Sequence, residues 1–235
     1  MFGLEPQSIV DRVKQSERPP RVPRLRESVL RGMVGFTLVS LGGFAPWVLG
    51  GRWLYRNAGE VGLYAVCAVV FIGLSGLLLH RLIIGPGSLG RFYKVFSFAF
   101  LAYAVAWTIS WMVWRGFAGS LAGLLAGTLA MGAIFTWGFK AAGAALKMIA
   151  VLFLANAAGY FLGEWAYKFI STLKEGNATG LVLAGAPRAV LSKAAWGLFF
   201  GLGFGAGIGF AFHACQSEAR RKILELRSSA ADPRN

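Results

Sequence analysis

The sequence predicts an all-α, polytopic membrane protein of about six transmembrane helices packed through glycine and alanine rows. Three observations carry this reading. Hydrophobic residues make up 56% of the chain and charged ones only 14%, with a mean hydropathy of +0.59. Apolar stretches recur at lengths that let a helix cross a ~30 Å hydrocarbon core. Glycine, with 32 copies, recurs inside those stretches at four-residue spacing. In a water-exposed helix each such glycine costs roughly 1 kcal/mol relative to alanine. In lipid, where no hydrophobic drive joins helices, small residues let backbones approach.

The formal charge of +14 would point to nucleic acid in a soluble chain. Here the basic residues cluster at the ends of apolar stretches, so no nucleic-acid partner is expected, and anionic membrane lipids are. Cys67 and Cys215 lie in or at the end of apolar stretches and form no zinc or disulfide pattern. The first apolar run begins near Met33, so no standard cleaved signal peptide is expected.

Three regions follow. Residues 1–31 read as a basic, proline-rich extramembrane tail. Within it, Ser8 to Gln15 suits a short amphipathic helix with Ile9, Val10 and Val13 on one side, Arg18 to Arg24 an extended linker, and Leu25 to Arg31 a surface-lying segment. Residues 32–214 hold the spans, placed near 33–51, 61–80, 95–114, 117–139, 146–163 and 194–213. The longest connection, 164–193, is read as interfacial: it extends span five, breaks at Gly176-Asn177, carries an apolar piece from Leu181 to Ala186, and restarts at Pro187. Residues 215–235 form a basic C-terminal tail.

With both termini inside, the inner segments hold 17 of the 24 Lys and Arg residues, as the positive-inside rule favours. Trp47, Trp53, Trp111, Trp114, Trp165 and Trp196 fall towards the outer face, in the manner of an interfacial belt, and Trp137 towards the inner one.

The most patterned residues are small. Gly197, Gly201, Gly205 and Gly209 sit four apart in span six, with Gly203 and Gly207 on another side. Gly119, Gly123 and Gly127 repeat the row in span four, beside Ala118, Ala122, Ala126 and Ala130, and span five offers Ala155, Gly159 and Gly163. Span three is the complement: Phe92, Phe96, Phe100, Tyr103, Trp107, Trp111 and Trp114 share one face. Such a ridge fills glycine grooves, faces lipid, or offers a surface to a flat hydrophobic ligand such as a quinone or pigment.

Chemistry-bearing residues are few. Asn156 is the one strongly polar side chain deep in a span, and no chain of carboxylates exists for ion coupling. His80 and His213 end spans two and six at the same predicted depth. They form a candidate pair of ligands to a b-type haem, with Arg81 near the propionates and the glycines beside His213 leaving room for the macrocycle. Gly73-Leu74-Ser75-Gly76 resembles the G-x-S-G of rhomboid intramembrane proteases, which would pair Ser75 with His213. That family carries its serine on a later core helix, and a protease is disfavoured.

The glycine row also resembles the first helix of rotary ATP synthase c-subunits, whose second-helix carboxylate has no equivalent here. It resembles more closely the small glycine-rich hairpin subunit of the mitochondrial MICOS complex. Trp196-x-Leu198-x-Phe200-Gly201-x-Gly203-x-Gly205-x-Gly207 and the pair Cys215-Gln216 carry that likeness, which covers the last helix alone. It implies an inner mitochondrial membrane protein that oligomerises through these glycines and helps curve cristae junctions.

The sequence therefore points to a non-catalytic structural or assembly subunit of an energy-transducing inner membrane. It would hold no cofactor and associate with copies of itself or with a larger complex. The mitochondrial inner membrane is favoured and a prokaryotic plasma membrane is the other candidate. A haem- or quinone-binding redox subunit, and a channel or uncoupled carrier, are the alternatives.

Overall fold

The computed structural model describes residues 2–16, 21–173 and 185–230. Gly176-Asn177 and the piece from 181 to 184 lie outside the described residues. All regular structure among those described is helical. This is the outcome lipid enforces, since a helix satisfies its own backbone where water is absent.

The elements are α1 (Pro6–Lys14), α2 (Leu25–Gly43), α3 (Ala45–Leu79), α4 (Ser88–Trp114), α5 (Gly116–Phe139), α6 (Ala145–Ser171), α7 (Gly185–Cys215) and α8 (Ser217–Ala230). Short 3₁₀ turns at His80–Leu82 and Ala142–Ala144 follow α3 and precede α6. Five helical runs are long and apolar enough to cross a membrane, the first reaching from Leu25 to Leu82. That run doubles back. Side chains of Leu79 and Phe71 fill the space beside Gly35 and Gly43 respectively, so α2 and the second half of α3 are antiparallel. The described residues thus make six passes.

Several expected boundaries move. The first pass starts at Leu25 and ends at Gly43, so 25–31 continues into the span and does not lie on the surface. It starts so early because Arg24 N–H meets Glu27 Oε2 at 3.4 Å, while Arg21 Nη2 lies 2.6 Å from Glu27 Oε1. Residues 45–58, expected as the end of span one and a loop, form a separate helical arm. The arm is broken from 60–79 at Gly59, whose φ of 67° favours glycine. Helix α7 starts at Gly185, so Pro187 sits in its first turn. Helix α6 extends to Ser171 as expected.

The tails are also structured. Ile9 and Val10 of α1 are buried, as is Ile223 of α8, because these two helices pack on one another across the basic end of the bundle. Arg91 organises that end. Its guanidinium donates to the carbonyls of Ile84, Gly85, Pro86, Gly87 and Gly3 at 2.7–3.4 Å. Gln216 clamps the same loop, donating to Leu82 O and Phe212 O and accepting from Ile84 N–H, all at 2.8 Å.

The six passes form a ring in the order α2, α3, α4, α5, α6, α7, closed by α7 against α2. Phenylalanine fills its centre. Phe36, Phe92, Phe96, Phe135 and Phe204 have no exposed surface, and Phe36 meets Phe204 edge-on at 5.0 Å.

Candidate functional site

Every patterned glycine row is occupied by another helix of the same chain. A Cβ on Gly201 would lie 2.6 Å from Thr37 Cα, and one on Gly205 or Gly209 would meet the backbone of Gly32 or Ser28. Ser40 Oγ adds a 2.7 Å bond to Gly197 O. The second row turns to α6, where a Cβ on Gly207 would stand 2.9 Å from Leu152 Cδ1 and Gly203 abuts Gly159. Gly119, Gly123 and Gly127 of α5 receive α4: a Cβ on Gly123 would be 2.9 Å from the Trp107 ring and one on Gly127 2.6 Å from Tyr103. These rows set close seams between α7 and α2, α7 and α6, and α5 and α4. Self-association through them would require α7 to leave α2 and α6.

His213 Nδ1 lies 3.5 Å from Ser28 Oγ, while His80 Nδ1 and Ser75 Oγ are buried with no hydrogen-bond partner. The room that Gly205 and Gly209 were expected to leave for a macrocycle is filled by α2. Among the described residues no group of three or more His, Cys, Asp or Glu is placed to hold a metal ion.

What the fold builds instead is a cavity of about 590 Å³ between α3, α4, α6 and α7, in the half of the bundle remote from the termini. Its origin is a seam that does not close. Towards the basic end, Gly76 admits the Tyr93 ring and Tyr93 Oη donates to Gly73 O at 2.6 Å, drawing α3 and α4 together. Beyond Phe71 the two helices carry no glycine pair and meet through large rings, Tyr64 edge-on to Trp107 at 6.2 Å. The passes splay there. The floor is the Phe71–Phe100 stack at 5.4 Å, backed by Phe36 and Phe204.

Thirteen of the twenty-one side chains around the cavity are aromatic. The ridge of α4 therefore divides. Phe92 and Phe96 are core, Phe100 and Tyr103 form the floor, and Trp107 and Trp111 stack face to face at 5.8 Å and 7° as one wall. The tryptophan belt divides too: Trp53, Trp114 and Trp165 are exposed, while Trp47, Trp111 and Trp196 turn into the cavity.

The polar groups have defined partners. Tyr64 Oη donates to Glu60 Oε1 at 2.8 Å, and Arg115 approaches the same oxygen at 3.3 Å. Lys168 pairs with Glu164 at 2.6 Å. Ser120 Oγ donates to Gly116 O, so the 3.0 Å contact between Ser120 and Tyr160 is donated by the tyrosine. Asn156 Nδ2 donates to Tyr103 Oη at 2.9 Å behind the floor. Sequence reasoning found the α4 wall but not Tyr64, Cys67 or Tyr160, because periodicity marks a face without saying what it faces. The arm at 45–58, which brings Trp47 and Tyr55 to the rim, was hidden because its second half, with Arg52, Arg56 and Asn57, has the composition of a polar loop.

The fold and cavity together define a polytopic all-α membrane protein with an aromatic pocket opening at one end of its ring. No family model, curated protein or solved structure matches the chain.

Proposed function

We propose that the chain is a non-catalytic, membrane-embedded binding subunit that holds a flat apolar molecule in the cavity between α3, α4, α6 and α7. The carrying observation is the cavity itself, an aromatic-walled space of about 590 Å³. That size lies in the range of pockets that enclose small organic ligands. The glycine rows support this reading indirectly: they hold five of the six passes rigidly in pairs and leave the α3–α4 side to adapt.

The setting we propose is an energy-transducing membrane, mitochondrial or prokaryotic. The basic end, which carries Arg81, Lys94, Lys140 and Lys147, would face anionic headgroups on the inner side. Assembly into a larger complex would use faces other than the glycine rows.

The test is extraction in mild detergent from a native-like membrane, followed by organic extraction and mass spectrometry of bound small molecules. A stoichiometric compound is expected with the wild type and its loss with Ala104→Trp, which places an indole in the cavity. Recovery of the same compound at the same ratio from both proteins refutes the reading.

A further inference from the structure

Resting on that reading, we infer that the arm at 45–58 is a lid over the cavity, hinged at Pro46 and Gly59 and latched by Lys193. The inference comes from how the arm is attached. Both of its ends interrupt the helical ladder. Pro46 stands in the first turn and has no N–H to give back to α2. Gly59 leaves helical geometry at φ 67° and ψ −174°, a conformation that favours glycine. A Cβ on Gly59 would meet nothing within 4 Å, so the joint has room to turn. Hinges lie at such element-terminal residues. Beyond the joint the chain is anchored: Glu60 is held by Tyr64 Oη at 2.8 Å and Arg115 Nη1 at 3.3 Å. Opposite, α6 and α7 are seated on each other through Gly159, Gly163 and Gly203. Movement at the rim is therefore expressed in the arm.

The arm itself is packed on one side. Leu49 and Trp53 are 81% and 68% exposed, while Trp47 and Leu54 pack inward at the i, i+7 spacing of one helix face. Trp47 meets Tyr167 and Trp196 at 6.5 and 6.3 Å, towards the long end of ring contacts. Lys193 of α7 supplies the specific hold. Its Nζ donates to Trp47 O at 3.0 Å and stands 4.6 Å from the centre of the Trp47 ring. Cys67, which lines the cavity, faces the backbone of Trp47 from below. A ligand enters when Lys193 releases Trp47, and the returning arm closes over it.

Access to Cys67 and the position of the arm test this without any cavity ligand. Labelling by a small apolar thiol reagent is followed by mass spectrometry of the intact, detergent-solubilised protein. Spin labels at Leu49→Cys on the arm and Leu162→Cys on α6, in a Cys67→Ser, Cys215→Ser background, report the arm's position. Lys193→Met keeps the bulk but loses the charge and the donor. It should label Cys67 about fivefold faster or more and broaden the spin-label separation. Lys193→Arg should restore slow labelling. Lys168→Met should change neither readout, because Lys168 is tied to Glu164 and not to the arm. An unchanged labelling rate in Lys193→Met overturns the lid, as does faster labelling with an unchanged separation. Labelling of Cys215 in step with Cys67 means general loosening and also overturns it. Absence of a bound compound refutes the binding function alone, and a static arm refutes the lid alone.

Discussion

Gly32 of α2 and Gly205 of α7 lie backbone to backbone, each carbonyl oxygen occupying the place of the other's missing Cβ. The contact is reciprocal, so neither glycine tolerates a side chain unless both helices separate. One row from a single helix thereby becomes a seam inside the chain.

Gly205→Leu should cost about 3 kcal/mol or more, because the added atoms meet α2 backbone and no flexible side chain. Gly73→Ala is the control. Nothing lies within 4 Å of its added Cβ, so the helix should gain up to roughly 1 kcal/mol. Thermal unfolding in one detergent, followed by circular dichroism, compares the two. Equal midpoints would remove the seam as a determinant of stability.

Arg91 should be worth more than any surface cation. Arg91→Ala strands five carbonyls at the basic end, and a loss of about 3 kcal/mol is expected from unmade charge-assisted bonds. Arg91→Lys should recover only part of it, since an ammonium has three donors and no planar fork. Limited proteolysis of the 80–87 loop reports the result. A loop as resistant in Arg91→Ala as in the wild type counts against this role.

Asn156 and Tyr103 should couple. Among the described residues, their 2.9 Å contact is the side-chain hydrogen bond that joins α6 to α4. Interhelical bonds in membranes contribute roughly 0.6–2 kcal/mol. A double-mutant cycle with Asn156→Leu and Tyr103→Phe should return a coupling energy of that size. The double variant should be close to wild type, because Asn156 Oδ1 already lacks a partner. Strict additivity would mean the bond contributes nothing.

Cys67 lines the cavity, whereas Cys215 is buried at the opposite end. A small apolar thiol reagent should label one cysteine per folded chain, lost in Cys67→Ser and kept in Cys215→Ser. Ala104→Trp should slow that labelling. Mass spectrometry of the intact protein reads all of these outcomes, and preferential labelling of Cys215 would contradict the placement of the cavity.

Much of the fold was legible in the sequence. Apolar length marks a helix in lipid, since no other open structure satisfies its backbone there. Hence α5 and the extended α6 fall where composition put them, and the amphipathic stretch at Ile9 and Val10 is α1. Boundaries failed where helices run on past the apolar core. Leu25–Arg31 continues α2, and 45–58 stays helical beside Gly59, because polar helix ends differ little in composition from polar loops.

The candidate site was legible only in part. A glycine row announces that a helix will be approached closely, and a ridge of rings announces a packed or binding face; both are properties of one helix read along its axis. Whether Gly201 meets Thr37 of its own chain or a second copy depends on which helices are neighbours, and neighbours are decided by long-range packing. The sequence by itself determined the membrane-spanning helices, the small-residue faces and the scarcity of ionisable side chains within them. Only the tertiary structure decided that the rows close on one another and that Trp47, Trp111 and Trp196 turn inward. The reason is physical: small residues let α7 seat against α2 and α6, large rings hold α3 off α4, and the unfilled space between them is a property of the ring and of no single helix.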